Sequence, residues 1–178
     1  MLLRRSIPAA VLLLAMLLPA AVLPRKAPDF TVNLLQGKSL RLSQYQGRPV
    51  VMIFVLTYCT HCQATIAALS KLQKEYAPRG LQVVASAIDP NAEAALPLFL
   101  HNFNPPFPVG FNTNAAAGQL VQPTGKLPQM PLMAFIDRDG NIVAQHEGEE
   151  PFFNDKDREG NLRSEIEKLL KPPAARKK

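Results

Sequence analysis

The sequence predicts an α/β fold with a mixed central β-sheet. Three observations support this: a continuous apolar run at residues 50–56, a helical apolar spacing directly after it, and a second apolar run at 81–88. Strand, helix and strand in this order indicate a parallel β-α-β unit. Two later strands within 131–146 are joined by a tight turn, and such a hairpin adds antiparallel strands.

The segments before the first long strand predict a linker and a β-hairpin. Residues 24–30 hold two prolines and two cations, a composition typical of a linker. Apolar residues recur at 30–35, Gln36 and Gly37 mark a turn, and residues 39–42 supply the returning strand. The predicted sheet therefore carries an N-terminal β-hairpin extension.

The rest of the chain alternates helices and strands. The run at 50–56 is apolar throughout, which is typical of a strand buried on both faces. Pro97 predicts a start or a kink inside one of the helices. The predicted helices cover residues 62–76, 92–103, 114–122 and 161–171, and the further strands cover residues 81–88, 109–111, 131–137 and 141–146.

The charge of the chain is concentrated at its two ends. The formal net charge is +6, but four cations precede Asp29 and four lie within residues 171–178. The body between them carries twelve basic and fourteen acidic residues, so it is near neutral. This balance, with no stretch that interleaves basic and aromatic residues, argues against nucleic-acid binding. Residues 172–178 are interpreted as a solvated basic tail.

Residues 1–23 are typical of an export signal peptide or an N-terminal membrane anchor. Arg4 and Arg5 form a charged start, and an almost wholly apolar stretch follows. Its longest part without proline has about ten residues, whereas a membrane-spanning helix needs about twenty. We therefore expect the domain at residues 24–171 to be exported, either periplasmic or anchored on the outer side of the membrane.

Cys59 and Cys62 follow the predicted central strand directly. A disulfide between them would close so short a loop that it removes little entropy from the unfolded chain, which favours a redox role over a structural one. Cys59 would lie at a helix N-terminus, where free backbone N–H groups and the helix dipole stabilise a thiolate. Cys62, one turn later, would be more buried and would resolve the mixed disulfide.

Together these features resemble the thioredoxin superfamily. The strand, the Cys-x-x-Cys pair and the helix combine with Met130 and Pro131 before a later strand that ends in Ile-Asp-Arg-Asp-Gly-Asn at 136–141. The segment Ala-Pro-Asp-Phe at 27–30 is similar to the exported TlpA/ResA-like branch, which shares it with the AhpC/TSA peroxiredoxin group. The resemblance spans residues 27–170 and implies a thioredoxin-like three-layer sandwich that acts as a thiol–disulfide oxidoreductase.

The resemblance also implies roles for individual residues. Cys59 matches the attacking cysteine of the family, and Cys62 matches the resolving cysteine. Pro131 matches a cis-proline that faces the disulfide, where Met130 would offer backbone atoms to an extended substrate. The implied reaction needs no cofactor beyond the dithiol and no metal. The implied partners are protein thiols and disulfides of the cell envelope and a redox partner protein.

Several positions near the cysteines depart from the family pattern. Tyr58 replaces the usual Trp, while Ile53 and Thr65 stand where relatives carry acids that move protons during target reduction. Thr60 and His61 are more similar to the Pro-His of DsbA-like oxidants than to the Gly-Pro of thioredoxin. A histidine beside a thiolate favours the reduced form, so we expect these neighbours to tune a couple more oxidising than thioredoxin. The physiological direction stays open.

Two other functions stay open from the sequence. A peroxiredoxin-like thiol peroxidase needs Pro-x-x-x-Thr-x-x-Cys, but Met52 and Leu56 occupy the Pro and Thr positions relative to Cys59. A Cu(I)-binding metallochaperone of the same fold could use two soft thiolates with His61 or His146. Structural zinc needs four ligands, of which one Cys-x-x-Cys supplies two.

Overall fold

The computed structural model describes residues 22–123 and 129–171. Within these residues one eight-stranded sheet is flanked by four α-helices. The strands are β1 (Arg25–Lys26), β2 (Thr31–Asn33), β3 (Ser39–Arg41), β4 (Val50–Val55), β5 (Gln82–Ala87), β6 (Val109–Phe111), β7 (Leu132–Ile136) and β8 (Asn141–Glu147). The helices are α1 (Thr60–Tyr76), α2 (Ala92–Phe103), α3 (Asn114–Val121) and α4 (Arg158–Leu170).

The sheet is mixed, with the strand order β1-β8-β7-β4-β5-β6-β2-β3. β4, β5 and β6 run parallel, because helices connect them across the faces of the sheet. β7 and β8 form an antiparallel hairpin beside β4, and β2 and β3 form the N-terminal hairpin at the other edge. The predicted fold class is therefore confirmed, including its hairpin extension.

Two layers of helix and loop cover the sheet, and β4 is buried on both faces. Val51, Ile53 and Val55 pack in one cluster with the apolar sides of α1, α2 and α4. Met52 and Phe54 pack in a second cluster with α3 and the N-terminal hairpin. Burying one such side chain contributes about 1.5–3 kcal/mol relative to leaving it exposed. Because β4 contributes side chains to both clusters, it is the centre of the core.

The predicted linker was partly wrong. Arg25 belongs to β1, which pairs antiparallel with β8. Its guanidinium donates to the carbonyl oxygens of Leu120 (2.6 Å) and Val121 (3.2 Å) at the end of α3. A cation at a helix C-terminus satisfies carbonyls that have no partner within the helix. Hydrogen bonding to the sheet and to α3 thus orders a segment whose composition indicates a loop.

Two helices begin earlier than their apolar spacing predicts. α1 begins at Thr60 and α4 begins at Arg158. Their first turns were missed because they are polar and therefore carry no apolar periodicity. Pro97 lies inside α2 and does not start it. In the part of the chain that the structure describes, no helix is both long and apolar enough to cross a bilayer. The predicted signal or anchor segment, apart from residues 22 and 23, and the basic tail at 172–178 lie outside the described residues.

Candidate active site

Three segments meet at the carboxyl edge of the sheet. β4 ends at Val55, and residues 56–59 lead from it into α1. Leu132 of β7 pairs with Phe54, so Pro131 lies at the same end of β4. β5 runs parallel to β4 and delivers residues 88 and 89 to this edge. The crevice at the carboxyl ends of strands is where α/β sheets hold their reactive groups.

Cys59 is the N-cap residue of α1. Its Sγ accepts a hydrogen bond from the backbone N–H of Cys62 at 3.3 Å. Its own N–H donates to Leu56 O at 3.1 Å, and its carbonyl accepts from Gln63 N at 2.9 Å. The sulfur therefore replaces the oxygen that Ser or Asp supplies at most helix starts. It is partly exposed, and the N–H groups of the first turn stabilise a negative charge there.

Cys62 lies behind Cys59 and is fully buried, as expected. Burial raises the pKa of the Cys62 thiol, and its hydrogen bond to Cys59 and the nearby charge of Asp89 act in the same direction. Both cysteines are free thiols in this structure. The pair thus consists of one accessible sulfur and one protonated, shielded sulfur, an asymmetry suited to attack followed by resolution.

The residues around Cys59 that were expected to tune it are exposed. Tyr58 has 71% of its surface exposed, and Thr60 and His61 are exposed as well. Thr65 is buried, and its hydroxyl donates to His61 O at 2.7 Å. This hydrogen bond fixes the backbone of the first turn of α1, while most of the Tyr58 surface is open to solvent.

The peptide bond between Met130 and Pro131 is cis, as the resemblance implies. Gly148, at the end of β8, supports this segment: its N–H donates to Gln129 O at 2.9 Å. A Cβ at position 148 would lie 2.1 Å from Met130 O, so only glycine fits there. Sequence analysis missed Gly148, although a glycine directly after a strand is a signal of close backbone approach.

Asp89 is a buried carboxylate at the site that sequence analysis also missed. Its two oxygens accept the Thr57 N–H at 2.9 and 3.1 Å, and Oδ1 accepts the Thr57 hydroxyl at 3.2 Å. Asp89 therefore fixes the backbone two residues before Cys59. Ile53 and Thr65 carry no acid, but β5 brings a carboxylate to the site from a different strand. The sequence signal that could have indicated Asp89 is an acidic residue directly after the apolar run at 81–88.

Arg158, the first residue of α4, is the second missed group. It is buried, and one guanidinium nitrogen donates to Phe153 O at 2.9 Å and to Asp155 at 2.6 Å. The same nitrogen lies 3.5 Å from Nδ1 of His61, in the first turn of α1. Arg158 could not be found from the sequence, because it lies in the polar first turn of α4, where no apolar periodicity marks the helix. The structure thus adds a buried cation beside His61, in the first turn of α1.

Comparison with known proteins identifies the family. A family model described as Redoxin matches residues 24–160. The chain belongs to the Redoxin family. The Redoxin match begins before the N-terminal hairpin and ends within α4, so it contains both cysteines, Asp89, Pro131 and Arg158.

Individual relatives and solved structures are similar to this chain over most of its length. The thiol-disulfide oxidoreductase ResA of Bacillus thuringiensis subsp. konkukian is 27% identical over 126 residues, 71% of this chain and 70% of that protein. A Chlorobium tepidum structure, described as a thiol:disulfide interchange protein DsbE, is 29% identical with a TM-score of 0.68, covering 83% and 97% of the two chains. A thioredoxin family protein from the same organism shares the fold at 20% identity, with a TM-score of 0.70 over 85% and 100%.

His146, one of the two histidines weighed for a copper site, has other contacts. His146 Nδ1 contacts Glu150 at 2.6 Å, and its ring stacks on Phe152 at a centroid distance of 3.7 Å. Within residues 22–123 and 129–171, no group of three His, Cys, Asp or Glu side chains is arranged to hold a metal ion. Cys59 and Cys62 are the only cysteines among these described residues.

Proposed function

We propose that this chain catalyses thiol–disulfide exchange with protein substrates through Cys59 and Cys62. The observation that carries the proposal is the Cys59 sulfur at the N-cap of α1, which accepts the N–H of a second, buried cysteine. The names of the ResA and DsbE relatives describe the same class of reaction. The enzyme is a thiol–disulfide oxidoreductase whose working group is the dithiol, with no further cofactor required.

The first chemical step is attack by Cys59. Its thiolate attacks one sulfur of a target disulfide R–S–S–R′, so that a Cys59–S–R bond forms, the target bond breaks and R′–S⁻ leaves. The helix N-terminus supports this step because it stabilises the attacking thiolate. The Cys59 sulfur is the accessible member of the pair, so the mixed disulfide forms there.

The second step belongs to Cys62. Once Cys59 is bound to the target, it carries no charge and no longer hydrogen-bonds the Cys62 thiol, so two of the causes that raise the Cys62 pKa disappear. Cys62 then loses its proton and attacks Cys59 Sγ, and R–S⁻ leaves as the intramolecular disulfide forms. Two electrons pass to the target, the protons lost by the two cysteines reach the released thiolates through water, and the reverse sequence oxidises a target dithiol.

Substrate contacts would come from both sides of Cys59. The cis Met130–Pro131 segment at the end of β4 would present Met130 backbone atoms to an extended target chain. On the other side a cleft of about 900 Å³ is lined by Tyr58, Asp89 and Phe111. An extended segment on either side of the target cysteine can therefore lie along this edge of the sheet.

The proposal sets the reaction outside the cytoplasm. The paired arginines and the apolar stretch at residues 1–23 support export or anchoring on the outer side of the membrane. There, the partners are envelope proteins with thiols or disulfides and a protein that resets the dithiol. The Thr60-His61 pair supports a couple more oxidising than thioredoxin.

Trapping tests the proposal directly. Cys62→Ser should accumulate mixed disulfides through Cys59 with model protein disulfides, because the resolving sulfur is absent. These adducts should disappear under dithiothreitol and should be absent from Cys59→Ser, the matched control with the same chemical change one turn away. Equal adducts on both single variants, or none on either, would contradict the assignment of roles.

A further inference from the structure

The turn that carries Cys59 joins the end of β4 to the start of α1. Residues 56–58 belong to neither element, and Tyr58 and Cys59 are exposed in whole or in part. Cys59 nevertheless has the extended N-cap backbone, with φ −80° and ψ 118°, that brings its Sγ to the Cys62 N–H. Because residues 56–58 lie outside the hydrogen-bond ladders of sheet and helix, other hydrogen bonds must fix this turn.

Thr57 is hydrogen-bonded on both sides of its backbone. Its N–H donates to the carboxylate of Asp89 at 2.9 and 3.1 Å, which ties the turn to the segment after β5. Its carbonyl oxygen accepts a hydrogen bond from Nε2 of Gln63 at 2.8 Å. Gln63 follows Cys62 directly in α1 and is half-buried. The turn is therefore anchored to the sheet by Asp89 and to the helix by Gln63.

Gln63 makes two hydrogen bonds to the turn. Its backbone N–H donates to Cys59 O at 2.9 Å, which is the first ordinary bond of the helix and is open to any residue with an N–H. The bond to Thr57 O comes from the side chain and needs a donor at the end of a side chain of this length. Glutamine supplies that donor, whereas the carboxylate of glutamate only accepts hydrogen bonds. One residue thus holds the carbonyls on both sides of Tyr58.

The position of these carbonyls determines where the Cys59 sulfur lies. Sγ accepts the Cys62 N–H at 3.3 Å, and the stabilisation that a helix N-terminus gives a negative charge is confined to the first turn. Release of Thr57 O would give the turn more backbone freedom, so Sγ would spend less time beside the N–H groups. At reactive centres a displacement of about 1 Å can cost about a hundredfold in rate.

We propose that Gln63 is a positioning residue that holds the Cys59 sulfur at the N-terminus of α1 through its bond to Thr57 O, and so accelerates attack by Cys59. The inference rests on the proposed function and assigns a further residue to it. Gln63 takes no part in the exchange of bonds: Cys59 forms the bond to the target sulfur, and the second target sulfur leaves as a thiolate.

The chain offers a matched control on the same helix. Gln73, near the other end of α1, is buried; its Nε2 donates to Leu81 O at 3.1 Å, and its Oε1 accepts the Val83 N–H at 2.6 Å. Gln73→Met therefore removes the same amide from the same helix and leaves buried backbone groups without a partner, which destabilises the fold. Gln63→Met removes a half-buried amide, so it should lower the urea midpoint less than Gln73→Met does.

The test is the rate of Cys59 alkylation by iodoacetamide in full-length Cys62→Ser, with folding checked by circular dichroism. Gln63→Met should lower this rate about tenfold at pH 6, where ionisation of the thiol depends on the helix, and less than about twofold at pH 9, where an ordinary thiol ionises unaided. Gln73→Met should leave both rates within about twofold. No loss at pH 6 in folded Gln63→Met, an equal loss at both pH values, or the same pH-dependent loss in Gln73→Met would overturn the inference.

A second variant keeps the inference testable if Gln63→Met does not fold. Gln63→Asn carries the same amide on a side chain one carbon shorter, so it should lose the bond to Thr57 O and show the same loss at pH 6. A rate equal to that of the parent Cys62→Ser protein would contradict the proposed role. Failure of the proposed function is a distinct outcome: the protein with both cysteines would then exchange no disulfide with a model protein, whatever residue stands at position 63.

Discussion

The two ends of α1 meet the same helix, α4, through arginines, but the two arginines have different surroundings. At the C-terminal end Arg163 pairs with Glu75 and donates to the Tyr76 hydroxyl at 2.9 Å. This pairing lowers the pKa of Glu75, because Arg163 donates to its ionised form. Nearby Arg79 and Glu167 form a two-bond pair at 2.8 and 3.0 Å. Each cation there has a carboxylate partner.

At the N-terminal end the cation also has a carboxylate partner, but the cation itself is buried. Arg158 is buried, its Nε has no partner, and its carboxylate partner Asp155 is largely in water. Its remaining side-chain partner is the His61 ring. The cations at the C-terminal end of α1, the far end from the cysteines, are thus partly exposed and paired, whereas the cation at its N-terminal end is buried and incompletely hydrogen-bonded. Burial of the cation distinguishes the end of α1 that carries the cysteines from its other end.

The largest predicted effect is a difference in reactivity between the sulfurs of Cys59 and Cys62, at the N-terminal end of α1. At pH 7.5, iodoacetamide should modify the cysteine of Cys62→Ser at least about a hundredfold faster than that of Cys59→Ser. Cys62 is buried and its pKa is raised, so it stays protonated both at neutral pH and as the pH rises past the usual thiol value of about 8.5. Mass spectrometry at several times gives both rates.

The folding of each single-cysteine variant is the control for that comparison, measured by its urea midpoint. Alkylation of Cys62 at a rate similar to Cys59 in a folded protein would remove the asymmetry on which the proposed order of attack depends.

A smaller effect is expected for Asp89, whose carboxylate fixes the backbone at Thr57, two residues before Cys59. Asp89→Asn should lower the free energy of unfolding by about 1–3 kcal/mol, because the NH₂ group that replaces one carboxylate oxygen cannot accept the Thr57 N–H and the remaining oxygen carries no charge. Urea denaturation measures this, with Asp139→Asn, the same change at an exposed residue, as the control.

The same variant tests what Asp89 does to Cys62. Its negative charge contributes to raising the Cys62 pKa, so Asp89→Asn should leave resolution of the mixed disulfide as fast as before or faster. Resolution slowed tenfold or more in stopped-flow assays would instead indicate that Asp89 accepts the Cys62 proton.

The smallest effect should come from the far end. Arg163→Met should change the free energy of unfolding by less than about 1 kcal/mol, because its partners are partly exposed and the pair is screened. Its exchange rate with a model disulfide should equal that of the unmodified protein. A large loss of exchange rate would break the distinction between the two ends.

The sequence was sufficient for the elements whose local pattern agrees with the fold. The apolar run that became β4 has one interpretation because it is buried on both faces, and the Cys-x-x-Cys pair after it marks the junction with α1. The hairpin of β7 and β8 was equally clear from its turn around Gly140. In each case neighbouring residues carry the whole signal.

What the sequence could not provide depends on contacts between distant segments. Arg25 becomes part of β1 only because α3 ends beside it, about a hundred residues later in the chain. Asp89 and Arg158 are charged residues that local composition assigns to a solvated surface, yet the fold buries both, one against Thr57 and the other against His61. Their roles become visible only when β5 and α4 are placed next to α1.

One measurement tests the central claim most directly: the oxidised end product of the full-length protein in a glutathione buffer, identified by peptide mass spectrometry after acid quenching. The account predicts a reversible disulfide between Cys59 and Cys62 within one chain, which forms and disappears in a single two-electron transition. A product that stops at glutathione bound to Cys59, or at disulfides between two chains, would contradict it.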